Sequence, residues 1–292
     1  MLKITLKGGD VREVMENTTV EALCREISMG LFRAACAARF NGRVCDLRTP
    51  LTEDGVLEIL TFEDEDGRKA YWHTTSHIMA QAVKRLFPEA VFAIGPSVDN
   101  GFYYDFDLPR NLTPEDLEKI EAEMKKIIKE NLPLERFELP PQEARALMEK
   151  EGQIYKVELI DEHAGKGENI SFYRQGDFTD LCAGPHLMST GGVKAVKLLN
   201  CTGAYWRGDS TKKMLQRVYG VSFPKAAQLE EHLAQLEEAK KRDHNKLGRE
   251  LELFTTVDVI GQGLPILLPK GARIVQLLQR FVEDEEQKRG YL

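Results

Sequence analysis

Leu2, Ile4 and Leu6 alternate with Lys3, Thr5 and Lys7, the two-residue period of a strand buried on one face. Gly8-Gly9 reads as a hairpin turn into a second short strand near Val14. Thr19 stands where a helix cap belongs, ahead of Val20, Leu23 and Ile27 at helical spacing, and Gly30 is expected to end that helix. Asn41-Gly42 lies between two strand-like runs and predicts a type I′ turn, whose two central residues both need positive φ. A last strand, Val56 to Phe62, completes a strand–strand–helix–strands order, which predicts a β-grasp unit over residues 1–62. The run Glu63-Asp64-Glu65-Asp66-Gly67 reads as a solvated linker.

A mixed α and β segment follows, to about residue 224. Ile78, Ala82 and Leu86 have helical spacing within Thr74 to Phe87, and Pro88 stops the helix. Phe102, Tyr104 and Phe106 alternate with Tyr103, Asp105 and Asp107 as a strand. Thr113-Pro114-Glu115-Asp116 combines a capping hydroxyl, a first-turn proline and acids at the positive end of the helix dipole. The helix it opens carries Leu117, Ile120, Met124, Ile127 and Ile128 on one side. Ile154 to Ile160 reads as a strand with Tyr155, Val157 and Leu159 on one face and Lys156 and Glu158 on the other. Beyond it, a long amphipathic helix is expected from Lys225 to Gly248, then a Gly/Pro-rich turn region from Gly261 to Gly271, and one more helix from Ala272. The fold class is therefore α+β.

Composition narrows the function. The 292 residues are 42 % hydrophobic and 30 % charged, which suffices for packed cores and argues against wholesale disorder. No apolar run approaches the roughly 20 residues that span a bilayer, and the N-terminus has no signal or transit character, so a cytoplasmic protein without membrane contact is expected. The five cysteines are odd in number and widely spread, as reduced thiols rather than a disulfide framework. The net charge of −7 argues against indiscriminate coating of nucleic acid. Two local basic patches remain: Arg207, Lys212, Lys213 and Arg217, and Lys240, Lys241, Arg242, Lys246 and Arg249.

Two motifs carry chemistry. His73 and His77 are four apart on a helix, which places both imidazoles on one face. Asp180-Leu181-Cys182-Ala183-Gly184-Pro185-His186 puts a carboxylate, a thiol and an imidazole on one loop, since Gly-Pro breaks any helix. His73, His77, Cys182 and His186 could surround a zinc ion tetrahedrally. They could equally form a metal-free hydrolytic pocket. There His73 or His186 would act as general base on water, and Asp180 would orient an imidazole or bind an ammonium. Lys156 would offer positive charge to an oxyanion or a phosphate, unless it is an exposed strand lysine.

The order of these motifs, from the β-grasp unit through His73-Thr74-Thr75-Ser76-His77 and the Asp180 to His186 loop to Asn200-Cys201-Thr202-Gly203-Ala204-Tyr205-Trp206-Arg207-Gly208-Asp209, resembles the bacterial threonyl-tRNA synthetases along the whole chain. The resemblance implies a TGS domain at residues 1–62, an editing domain at 63–224, a linker helix at 225–248 and the start of the class II catalytic domain at 249–292, with the dimer-forming motif 1 helix in it. The family's motifs 2 and 3 and its aminoacylation zinc ligands have no counterpart. The expectation is an N-terminal portion that proofreads. Joining threonine to tRNA would need ATP, magnesium and zinc in a core not present, and the full-length enzyme would be a homodimer, this portion a monomer.

Proofreading has a physical reason. Serine is threonine less one methyl, and a missing methyl gives only about 1–3 kcal/mol of discrimination. A second pocket that admits serine and sterically refuses threonine repairs this by hydrolysing the seryl ester at the 3′ end of tRNA(Thr). By the resemblance, His73 and His186 handle the proton and position water, Lys156 faces the oxyanion, and Asp180 takes the seryl amine or a histidine. His77, Tyr104 and Cys182 line the pocket, with no cofactor required and zinc as the alternative. Arg207, Lys212, Lys213 and Arg217 would meet tRNA phosphates. Competing readings are a zinc-stabilised RNA-gripping module without hydrolysis and a free-standing trans-editing factor.

Overall fold

The first strand, Leu2–Leu6, pairs antiparallel with Val11–Val14 and parallel with Gly55–Thr61. Ala35–Phe40 and Arg43–Cys45 extend the sheet on the other side of Gly55–Thr61, in the order Val11–Val14, Leu2–Leu6, Gly55–Thr61, Ala35–Phe40, Arg43–Cys45. Helix Val20–Ile27 covers one face through Val20 and Leu23, which pack with Ile4, Leu47, Leu51 and Leu57. This is the β-grasp arrangement, and Asn41 and Gly42 both have positive φ at the expected turn. The helix does not end at Gly30. Ser28 caps its C-terminus and accepts N–H groups of Gly30 and Leu31 to start a second short helix, Met29–Ala34. These coordinates are a computed structural model, which describes residues 1–164, 169–261 and 263–291. Two compact units divide the chain, Met1–Leu229 and Glu230–Leu292.

The acidic run after the sheet is not a linker. Asp64 accepts from the Thr61 backbone and hydroxyl, at 2.8 and 3.1 Å, and Glu65 and Asp66 form the first turn of a helix, Glu65–Leu86. Acids there lie at the positive end of the dipole, so a stretch that looks solvated by composition is a helix start. Gly67 permits the close approach: a Cβ would sit 2.0 Å from the Thr61 carbonyl oxygen. Arg39 of the sheet pairs with Asp66 at 2.7 Å.

Helix Glu65–Leu86 is buried on most sides, because it lies between layers. It packs on an antiparallel sheet of Ala195–Tyr205, Met214–Phe223, Gly101–Asp107 and Val91–Phe92, in that order. Trp72 donates to the Ser222 carbonyl and Tyr71 to that of Phe223, both at 2.9 Å. Helix Pro114–Glu130 flanks it, with the expected capping box between Thr113 and Asp116. A smaller antiparallel sheet, Phe178–Leu181, Ile170–Gln175 and Leu134–Leu139, packs with helices Pro141–Lys150 and Ile154–Ala164 through Ala144, Met148, Ile160 and Phe172.

Ile154–Ala164 is a helix, not the strand its alternation suggested. The N–H groups of Lys156 and Val157 both bond the Gln153 carbonyl, closing the first turn. A helix buries Tyr155 and Leu159 beside Trp206 while Val157 and Ile160 enter the small core, whereas a strand would put Val157 on the face of Tyr155 and Leu159. A short apolar run is compatible with either period until packing decides.

The second unit holds most of helix Ala226–Lys241, which stops well before Gly248. Asp243 interrupts the expected long helix by accepting the Lys246 N–H at 3.0 Å and capping a separate helix, His244–Glu250. A two-stranded pair, Phe254–Thr255 with Ile266–Leu267, precedes helix Pro269–Lys288. That last helix starts at Pro269 rather than Ala272, as first-turn prolines favour. No helix among the described residues is long and apolar enough to cross a membrane.

Candidate functional site

The i, i+4 spacing delivers His73 and His77 to one side of helix Glu65–Leu86, with ring centroids 5.1 Å apart. Thr74, between them, points into the same wall. Its hydroxyl donates to the Ala70 carbonyl at 2.9 Å and accepts the Leu187 N–H at 2.9 Å. With that proton committed, the 3.2 Å contact to His186 Nδ1 requires the imidazole to donate. The His186 tautomer is thereby fixed with Nδ1 protonated and the Nε2 lone pair free. The Pro185 carbonyl stands near the His73 ring and favours its protonated form, against the burial that disfavours it.

Two imidazole nitrogens converge on one thiol. Cys182 Sγ lies 3.1 Å from His186 Nε2 and 3.4 Å from His73 Nε2, and it accepts the Gly184 N–H at 3.2 Å. Strand Phe178–Leu181 alternates Phe178 and Asp180 inward, and Cys182 follows on the same side. Gly184, at φ +76, lets the loop turn beside Tyr173, whose hydroxyl would be 2.3 Å from a Cβ there. The Tyr173 ring in turn stands edge-on to His186 at 4.4 Å.

A charged group adjoins this neutral one. Lys156 Nζ is 2.6 Å from Asp180 Oδ1 and donates to the Tyr104 hydroxyl at 3.1 Å; Tyr104 donates to Asp180 Oδ2 at 2.6 Å. His77 Nε2 is 3.7 Å from the same oxygen. Lys156 and Asp180 are each 3 % exposed, so this is a buried ion pair satisfied by hydrogen bonds. Lys156 is therefore not the exposed strand lysine; the helix turns it inward. Tyr104 packs in the core and also presents its hydroxyl to the site.

Burial sets the protonation states. It lowers His73 to about 3 and His77 to about 4, and it pushes His186 well below the usual imidazole range. Burial raises the Cys182 thiol to about 12 and holds Tyr104 well above its ordinary value. For Asp180 burial acts upward but is outweighed by Lys156, His77 and Tyr104, and the carboxyl lies below the usual range. At neutral pH the cluster offers three neutral imidazoles, one thiol, one ammonium and one carboxylate.

The same donors suit a metal. One ligand atom from each of His73, His77, Cys182 and His186 lies within 4.8 Å of the others, and this nitrogen and sulfur set matches zinc. Loading would have to expel the Cys182 proton.

The geometry now has relatives. Residues 2–61 match the TGS domain family, and residues 170–219 match the threonyl and alanyl tRNA synthetase second additional domain. A threonine–tRNA ligase of Clostridium perfringens (strain SM101 / Type A) is 59 % identical over 292 residues, which is 100 % of this chain and 45 % of the relative. Those of Clostridium botulinum (strain Eklund 17B / Type B) and Acetivibrio thermocellus (strain ATCC 27405) are 58 and 56 % identical, over 100 % of this chain and 45 and 46 % of theirs. Over its whole length the chain is similar to threonine–tRNA ligases. It spans less than half the length of these relatives and corresponds to their N-terminal portion.

The seven residues His73, His77, Tyr104, Lys156, Asp180, Cys182 and His186 meet in one cluster. The basic patch does not join them as free charge. Arg207 pairs with Glu162, Lys212 with Glu158 at 3.1 Å, and Lys213 with Asp107 at 2.7 Å. Arg217 grips both oxygens of Asp105 at 2.7 and 2.8 Å and lies 3.9 Å over the Tyr103 ring. An RNA phosphate would have to compete with four carboxylates there. Sequence reasoning missed Thr74, Tyr173 and Asp46, whose carboxylate receives the Tyr173 hydroxyl at 2.9 Å. Thr74 lay inside the His73 to His77 motif, but its partner is 112 positions away.

Proposed function

We propose that this chain is the proofreading portion of a threonine–tRNA ligase and hydrolyses the seryl ester of mischarged tRNA(Thr). One observation carries the reading: the Nε2 atoms of His73 and His186 meet at Cys182 in the same cluster as a buried Lys156–Asp180 pair. His73 is the least buried of the three imidazoles, and it takes the proton of the attacking water while His186 positions that water. The water oxygen bonds to the ester carbonyl carbon. The Lys156 ammonium faces the oxyanion that forms, and Asp180 balances that charge and meets the seryl amine. Collapse expels the ribose hydroxyl, which takes back the proton, and leaves free serine. Cys182, held as a thiol, and His77 wall the cleft against the extra methyl of threonine.

The division into TGS (1–62), editing (63–224), linker (225–248) and catalytic start (249–292) belongs to this reading. So do a cytoplasmic location and a role for Arg207, Lys212, Lys213 and Arg217 in tRNA docking. Ligation itself, with ATP, is proposed for the whole enzyme.

The test is incubation of the chain with seryl- and threonyl-tRNA(Thr), with ester loss followed over time. Serine is expected to be released and threonine retained, and His73→Ala is expected to abolish release while the fold persists. Equal release of both, or of neither, overturns the reading. The convergence of four donors favours a second reading, a zinc site held by His73, His77, Cys182 and His186 that would stabilise the fold or polarise water. Stoichiometric zinc after purification, with unfolding in chelator and no ester hydrolysis, would establish it.

A further inference from the structure

The loop that carries Cys182 and His186 is held from two sides, and only one side belongs to its own domain. On the inner side Thr74 receives the Leu187 N–H and the His186 ring. On the outer side the contacts come from just after the β-grasp strand Arg43–Cys45. Asp46, 6 % exposed, accepts through Oδ1 from the Arg48 backbone at 3.0 Å and from Arg48 Nη1 at 2.6 Å. Its Oδ2 accepts from the Tyr173 hydroxyl at 2.9 Å and from the His186 backbone N–H at 3.4 Å. Arg48 Nη2 then donates to the carbonyls of Leu187 and Met188, at 2.8 and 2.9 Å. The three peptides His186 to Met188 are thus tied to one carboxylate–guanidinium pair more than 130 positions upstream.

Leu187 and Met188 also pack into the two adjoining cores, and the Met188 carbonyl accepts the Leu134 N–H at 3.1 Å, but the stretch before them is less supported. A cavity of about 510 Å³ lies against the outer side of the loop, lined by Asp46, Arg48, Tyr173, Ala183, Gly184 and Pro185. Where side chains do not fill space, hydrogen bonds decide position. A displacement of roughly 1 Å in a reacting group can cost about 100-fold in rate.

We infer that Asp46 and Arg48 of the β-grasp domain are positioning residues for the hydrolytic site, holding the backbone that sets the His186 imidazole and, through Tyr173, its ring face. The inference rests on the hydrolase reading for its kinetic arm only. Asp46→Asn keeps the shape but replaces one acceptor by an NH₂ donor. Whichever way the amide turns, that donor faces Arg48 or the Tyr173 and His186 donors. Arg48→Met removes the carbonyl clamp and leaves Asp46 in place, and Arg48→Lys restores charge without the fork.

Seryl-tRNA(Thr) hydrolysis by each variant is measured beside imidazole ¹⁵N spectra of the full chain, with the His186 signals assigned by their loss in His186→Gln. Asp46→Asn and Arg48→Met are expected to lower kcat about 10- to 100-fold with KM within about twofold, and to shift the His186 signals. Arg48→Lys is expected to recover part of both. Unchanged His186 signals and unchanged kcat in folded variants overturn the inference. If the parent chain releases no serine, the hydrolase reading fails, and the ¹⁵N shifts alone decide whether Asp46 and Arg48 position His186. If Asp46→Asn does not fold, Arg48→Met carries the same decision.

Discussion

Two substitutions at Thr74 separate its hydroxyl from its bulk. Thr74→Val keeps the shape but strands the Leu187 N–H and the His186 Nδ1–H in a buried site, and each unsatisfied group costs about 1–3 kcal/mol. His186 can then escape by moving its proton to Nε2, which removes the lone pair that faces Cys182. Seryl-tRNA hydrolysis is expected to fall at least about tenfold in Thr74→Val and to stay near the parent rate in Thr74→Ser, both followed by ester loss. Equal rates would remove Thr74 from any tautomer role. Single residues were legible in the sequence when their chemistry was local. His73 and His77 declared themselves by spacing, and Asp180, Cys182 and His186 by crowding on one loop. Thr74 and Asp46 did not, because an ordinary threonine or aspartate gains its meaning from a partner over 100 positions away.

At the scale of elements, helix Glu65–Leu86 bridges the β-grasp sheet and the cluster. Its first turn lies against the Thr61 carbonyl through Gly67, and His73, Thr74 and His77 follow on the same rigid rod. Gly67→Ala forces a Cβ into backbone that cannot yield, so a destabilisation of about 1–3 kcal/mol is expected from urea unfolding, against the gain alanine normally brings to a helix interior. A neutral or stabilising result would show that the first turn can lift off the sheet without cost. Boundaries were the weaker part of the sequence reading. The acids that open the helix look like a solvated linker because composition cannot show that they lie at the positive end of its dipole. Lys156 was placed on a strand because seven residues of alternation fit a helix packed on two sides equally well. The strong local signals, the Asn41-Gly42 turn and the Thr113 capping box, were readable because each is decided within four residues.

For the molecule as a whole, the buried imidazoles couple folding to pH. His73 and His77 are lowered to about 3 and 4 by burial, from an ordinary 6.5. The unfolded chain therefore binds protons that the folded site refuses. Stability is at its full value above about pH 6.5 and falls as pH drops toward 4. Urea titrations at pH 7.5 and 5, read by the fluorescence of Trp72 and Trp206, should show this loss, and His77→Gln should make it shallower. An unchanged slope in that variant would mean that His77 is not held neutral. The continuous rod from residue 65 to 86 also matters to anyone recombining such proteins. A chimera spliced at the acidic run, where composition invites the cut, would saw through the first turn of the beam that aims the imidazoles. A graft that exchanges the N-terminal sheet should carry the helix along with it, or keep both from one parent.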